Sequence, residues 1–157
     1  MLMKYSQEYN KIICNIHVSQ KLLFKFDNKT FIAKILYYSG LYKNYFYIYI
    51  DSNKIVGSIL LRKRISSFSI KRFWWIYGVF IIEEERGKGH SRRLMKEALL
   101  LLKNQNVSEV FLYVDKKNVP AKNLYINLGF KEIKCSKYHK LKTNQYLMRF
   151  DLYNYII

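Results

Sequence analysis

The spacing of hydrophobic and polar positions divides the 157-residue chain into strands, turns and helices. Lys11–Val18 is rich in β-branched residues and reads as a strand. Residues 19–41 put Phe31, Ile35 and Leu36 on one face and read as one or two short helices. Tyr45–Ile50 (YFYIYI) and Ile55–Leu61 (IVGSILL) flank Asp51-Ser52-Asn53-Lys54, whose residues favour turns, so this segment predicts a hairpin. A long strand follows at Phe73–Ile82. From His90 to about Asn104, Leu94, Ala98 and Leu101 with Met95, Leu99 and Leu102 make one wide apolar stripe, the mark of a helix lying on a core. Glu109–Val114 is another strand. Asn118 then caps a helix that carries Pro120 in its first turn, where the missing N–H costs nothing, and that stops at Gly129. Phe130–Cys135 and Gln145–Leu152 close the chain as strands. The alternation in the second half predicts a mixed α/β fold, and no linker or repeat divides residues 1–157 into more than one domain.

Composition narrows the function classes. Half of the chain is hydrophobic and 17% is aromatic, enough for a core, while one Pro and six Gly exclude low-complexity structure. Charge is the unusual quantity, since 28 Lys+Arg against 11 Asp+Glu give +17. Residues 1–78 contribute +10 and residues 79–157 contribute +7, so no single basic tail explains it. The excess admits nucleic acid, an acidic membrane face or phosphorylated cofactors and substrates as partners. It is equally what compositional bias would give, because Asn, Ile and Tyr are plentiful and Ala stands only at Ala33, Ala98 and Ala121. Cys14 and Cys135 lie far apart with no clustered His, which suggests neither a metal site nor a disulfide. The N-terminus lacks a signal-peptide pattern and no stretch approaches the ~18 apolar residues of a membrane span, so the reading is a soluble, cytoplasmic protein with no membrane partner. Monomer and homodimer both stay open.

Chemistry concentrates where a strand runs through Arg86-Gly87-Lys88-Gly89-His90-Ser91 into a helix. Two glycines allow backbone N–H groups to approach an anion, and the helix behind them presents its own unpaired N–H groups and positive dipole end. The third glycine of a dinucleotide fingerprint is missing. Gly87-Lys88 is followed by Gly where a Walker A loop has Ser or Thr.

Two motifs in order give this loop a context. Arg86-x-x-Gly89-x-Ser91 follows the central strand, and Asn118, Ala121, Tyr125, Gly129 and Phe130 fall into Asn-x-x-Ala-x-x-x-Tyr-x-x-x-Gly-Phe. In both, and in the hairpin with Gly57 and the closing strand Met148–Leu152, the chain resembles the GNAT superfamily of acetyl-CoA-dependent N-acetyltransferases over roughly residues 44–152. Ser91, where Gly or Ala is usual, is still small. The resemblance implies an α/β GNAT fold: a mixed, mostly antiparallel sheet of six or seven strands, flanked by helices and splayed at its central strand. It implies transfer of an acetyl group from acetyl-CoA to a primary amine of a small molecule or peptide by direct attack, with no metal.

The same resemblance implies roles for residues. Backbone groups of Val79, Phe80 and Ile81 would pair with the pantetheine arm. The pyrophosphate would sit on Arg86, Gly87, Lys88, Gly89, His90, Ser91 and Arg92, with Arg93 beside them, and Asn118 would contact the arm or serve only as a helix cap. Tyr125 matches the acid that protonates the departing thiolate; a phenol is protonated at neutral pH. No carboxylate stands at the family's usual base positions. The same-face residues of the central strand are Phe73, Trp75 and Tyr77, and the position five before Asn118 is Tyr113. Tyr77 is therefore the base candidate, with Phe73, Trp75 and Tyr113 lining the acceptor groove; a water relay or an already neutral amine stays open. Glu83–Glu85 read as a solvated turn, His139 as a neighbour of the acceptor site, and His17 and His90 as structural or solvent-facing. An acceptor amine on RNA or the ribosome, and a CoA-binding module without turnover, are the alternative functions.

Overall fold

The computed structural model describes residues 1–4, 46–65, 71–133 and 144–153. The expectations for Lys11–Val18, residues 19–41, Cys14, Cys135, His17 and His139 lie outside the described residues. Those described form one seven-stranded sheet: β1 (Leu2–Lys4), β2 (Phe46–Asp51), β3 (Lys54–Ile65), β4 (Arg72–Ile81), β5 (Glu109–Asp115), β6 (Lys131–Glu132) and β7 (Gln145–Asp151). Helix α1 (His90–Asn104) follows β4 through a 3-10 turn, Glu83–Glu85, and α2 (Val119–Leu128) follows β5. The spatial order is β1-β2-β3-β4-β5-β7-β6, antiparallel throughout except for the parallel pair β4–β5.

Local chemistry explains these elements. Ser52 and Asn53 both take positive φ, 48° and 61°, as the tight two-residue turns that suit the twist of a hairpin require. β3 continues four residues past the predicted Leu61, because Arg62, Lys63, Arg64 and Ile65 pair with Trp75, Trp74, Phe73 and Arg72. Three of the four are basic, and their pairing with β4 keeps them in the strand. Of the predicted stripe, α1 buries Leu94, Met95, Ala98, Leu99 and Leu102 completely and Leu101 partly. Asn118 caps α2 by accepting from the Ala121 N–H at 3.2 Å, and Gly129 ends it at φ 103°.

The architecture matters for what it does to β4. The β4–β5 pairing covers only Trp74–Ile76 against Val110–Leu112 and then stops, although β4 runs on to Ile81 and β5 to Asp115. Beyond that point β4 pairs only with β3 and β5 only with β7, so the sheet splits. A bulge sits at the start of the split. Gly78, with φ 55°, and Val79 together oppose the single Ile59. Gly57 lets the two backbones close in above it, since a Cβ there would stand 2.4 Å from the Phe80 carbonyl oxygen.

Candidate active site

The split and the glycine loop enclose one cleft of about 290 Å3, bordered by Val79, Ile81, Arg86, Gly87, Ser91, Asn118 and Tyr125. Residues separated by up to 46 positions in sequence are thus brought to one place. The β3–β4 ladder determines which backbone groups face it. Ile82 N–H bonds to the Val56 carbonyl at 3.0 Å, so Ile82 and Phe80 point at β3 while Val79 and Ile81 point into the split. Phe80, expected to meet the pantetheine arm, is engaged with β3 instead. The Ile81 carbonyl is also taken: Arg86 Nε donates to it at 3.2 Å, with the guanidinium 6.0 Å from the Phe80 ring. Polar groups toward the split are therefore those of Val79 and the Ile81 N–H, and Arg86 ties loop to strand.

The loop has the form of an anion cradle. Gly87 and Gly89 both have φ 78°, a left-handed value that glycine adopts without strain, and no other atom lies within 4 Å of where a Cβ would stand on either. Gly89 is the N-cap of α1 and offers no side-chain cap, while the Arg92 and Arg93 N–H groups bond to its carbonyl at 3.1 and 3.2 Å. The His90 and Ser91 N–H groups, ahead of these, have no carbonyl of the helix to reach. Unpaired donors in this arrangement suit the acceptors of a polyphosphate, whose charge the helix dipole favours. The Arg92 N–H belongs to the helix, so the cradle narrows to Gly87–Ser91.

Two residues near the loop do more than the sequence indicates. Glu85, read as part of a solvated turn, binds Lys88 at 2.9 Å and Lys54 at 3.2 Å. Hydrogen bonds from Lys88 and then Lys54 hold its carboxyl far below the usual value, at about 2. The i,i+3 spacing from Glu85 to Lys88 was the readable signal. His90 is buried at 4% exposure, its Nε2 3.4 Å from Glu85 and its ring edge-on to Tyr49 at 6.0 Å. Its side chain is thus structural, under the loop.

Tyr125 reaches the cleft from α2 and packs on Phe130 with ring centroids 5.7 Å apart. Burial pushes its phenol up to about 12, which keeps it protonated at neutral pH. On the other face of the sheet Phe73, Trp75, Phe111 and Leu147 form a second core, with Tyr77 and Tyr113 half-buried at its edge. Trp75 stacks on Tyr113 at 5.0 Å and on Tyr77 at 6.1 Å. Phe73 and Trp75 are 9% and 2% exposed, so the more accessible rings of this cluster are Tyr77 and Tyr113. Arg64, a residue the sequence reading passed over, donates to the Tyr77 hydroxyl oxygen at 2.9 Å and lies 5.6 Å above the Trp75 ring. Burial raises the Tyr113 phenol, with Arg64 opposing and Tyr77 reinforcing it.

The split strand, the glycine loop and the phenol beside them are arranged as the family resemblance implies for an acyl-CoA-dependent acyltransferase. The comparisons agree. The profile of the acetyltransferase (GNAT) family matches residues 13–130, and the chain belongs to that family of acyl-CoA-dependent N-acetyltransferases. It is 24% identical over 156 residues to N-alpha-acetyltransferase 30 of Schizosaccharomyces pombe, covering 99% of this chain and 96% of that one. With an N-alpha-acetyltransferase of Saccharolobus solfataricus it shares 32% identity over 111 residues, 66% of each chain. The crystal structure of Ard1 from Thermoplasma volcanium has the same fold, with a TM-score of 0.71 at 23% identity and 96% of both chains covered.

Proposed function

We propose that the acceptor is the α-amino group of a polypeptide N-terminus, and that Tyr77 and Tyr125 serve the reaction from opposite sides of the split strand. The observation that carries this reading is their placement. Tyr125 belongs to the helix-side core and borders the same cleft as Val79, while Tyr77 stands two residues before Val79 on the aromatic side. A thioester lying along β4 presents its sulfur to one and its carbonyl carbon to an amine arriving past the other. The N-alpha-acetyltransferase relatives support a peptide acceptor. A half-buried aromatic wall suits the backbone and first side chain of a peptide.

The steps balance as follows. The amine nitrogen attacks the thioester carbonyl carbon, and the negative charge collects on the carbonyl oxygen near the Val79 N–H. The nitrogen then loses a proton to the Tyr77 oxygen, which is held by Arg64, and the tyrosine passes its own proton on toward solvent. The carbon–sulfur bond breaks and the sulfur leaves as a thiolate. A phenol at about 12 is a weaker acid than a thiol, about 8.5. Tyr125 therefore steadies the sulfur by donating a hydrogen bond, and the proton that completes the thiol comes from solvent. This narrows its role from proton donor to hydrogen-bond donor. Cytoplasm is the compartment that supplies both acetyl-CoA and nascent N-termini, and among the described residues no helix is long and apolar enough to cross a membrane.

The test is thiol release from acetyl-CoA with three acceptors: a peptide with a free N-terminus, the same peptide blocked at its N-terminus but bearing lysine, and a polyamine. Release with the first alone is expected. Release only with the lysine peptide or the polyamine would reject the α-amine assignment.

A further inference from the structure

The pole of the sheet opposite the cleft carries a run of basic residues. Residues 55–82 hold five basic residues and no acidic one. Strand pairing gathers Arg62, Lys63, Arg64 and Arg72 at one end of the β3–β4 hairpin, with Lys71 next to Arg72. β4 and β5 run parallel and the cleft opens where their C-terminal halves part, so Lys63, Lys71 and Arg72 stand at the other end of the pair, while Arg64 reaches back to Tyr77. There, exposed Lys63, Lys71 and Arg72 line a cavity of about 470 Å3 together with Gln105, Asn106 and Ser108.

The frame behind these charges is fixed. Trp74 is buried, and the Lys63 ammonium lies 5.0 Å from its ring centroid. Among the described residues no carboxylate forms an ion pair with Lys63 or Arg72. Glu109 also borders the cavity, and Arg149 at 3.8 Å offsets its charge. The carbonyls that end α1 point at this pole too, but Gln105, Asn106 and Val107 N–H groups consume those of Leu102 and Lys103.

Two macromolecular polyanions match a positive pole. An acidic membrane face would also call for exposed apolar side chains to insert. Among the described residues the large exposed ones are Met1, Val119, Ile126 and Tyr153, none of which borders the cavity. Charge that extends past the cavity to Arg62 fits phosphates repeated along a backbone. We propose that the pole formed by Lys63, Lys71 and Arg72 is a docking surface for the phosphate backbone of a nucleic acid, separate from the acetyl-transfer cleft. It stands whatever the acceptor amine is.

The test titrates the full-length protein into fluorescein-labelled oligouridine, followed by anisotropy, at salt from about 50 to 200 mM. Lys63→Glu/Lys71→Glu/Arg72→Glu is compared with a control of equal charge change elsewhere, Lys96→Glu/Lys117→Glu/Lys131→Glu. The pole variant is expected to lose at least about tenfold in affinity and about 2 units of log–log salt slope, three contacts at ~0.7 each, while the control loses much less. Equal losses in the two variants, or no binding at all, would overturn the proposal. So would preferential binding to phosphatidylserine vesicles that the pole variant abolishes. If the triple reversal fails to fold, Lys71→Gln/Arg72→Gln takes its place, with an expected slope loss of about 1.4 and an unchanged slope as the contrary result.

Discussion

The two faces of the central sheet are built from different side chains and do different work. The face under α1 and α2 is largely aliphatic: Leu94, Met95, Ala98, Leu99 and Leu102 are wholly buried against Val110, Leu112 and Met148. On the other face Phe73, Trp75 and Phe111 pack ring on ring, and their cluster ends in two half-buried phenols and an arginine. Flexible aliphatic chains fill the space between helix and sheet with no polar atom to satisfy. Rings that end in hydroxyls keep a stiff surface with polar handles, which is what recognition of a guest needs. The split beside β4 lies between the two, with Val79 against the helix-side core and Tyr77 against the aromatic one.

That contrast can be broken at several points. Leu99→Ala on the aliphatic face should cost about 2–5 kcal/mol in urea unfolding, since it leaves a cavity in a close-packed site. Tyr113→Phe on the aromatic face should cost far less stability, and its effect should appear as a raised KM for the acceptor. Equal destabilisation by both would erase the distinction between packing face and recognition face.

The cradle predicts a smaller effect. Gly89→Ala places a side chain at φ 78°, a conformation that costs an L-residue roughly 1–2 kcal/mol. The strain should appear as about a tenfold rise in KM for acetyl-CoA with kcat little changed. An unaltered KM would show that this loop does not carry the pyrophosphate.

The smallest expected effect concerns Glu85. Its folded pKa, about 2, lies below the ordinary 4.5, so the unfolded chain binds the proton first as pH falls. Its contribution is fully present above about 4.5 and disappears as pH drops through 2. Acid unfolding of wild type and Glu85→Gln should therefore differ near neutrality and converge near pH 2. Curves that stay parallel down to that pH would contradict the Lys88–Glu85–Lys54 clamp.

What the sequence made legible was local. The turn at Ser52-Asn53, the stripe of α1, the Asn118 cap and the Gly129 stop each depend on residues within a few positions of one another, and each stands as read. The split was expected only through family resemblance. Where it begins depends on which residues of β4 find partners on β3 and β5, and no local pattern marks the bulge at Gly78 beyond the glycine itself. The same holds for Arg64, whose partner lies across a strand pair, and for the extension of β3 through three consecutive basic residues. Phe130–Cys135 reads as a strand; Lys131 and Glu132 pair with Arg149 and Met148 of β7, the Ile133 N–H bonds on to the Leu147 carbonyl, and residues 134–135 lie outside the described ones.

The most direct measurement is single-turnover acetyl transfer to a free-N-terminus peptide by wild type, Tyr125→Phe and Tyr77→Phe, with acetyl-CoA affinity measured alongside. Losing one preorganised donor at the sulfur should lower the rate of the chemical step about 10²-fold in Tyr125→Phe while acetyl-CoA binding is retained. Tyr77→Phe should slow the same step without altering acetyl-CoA affinity. A Tyr125→Phe enzyme as fast as wild type would contradict a strand served from both faces.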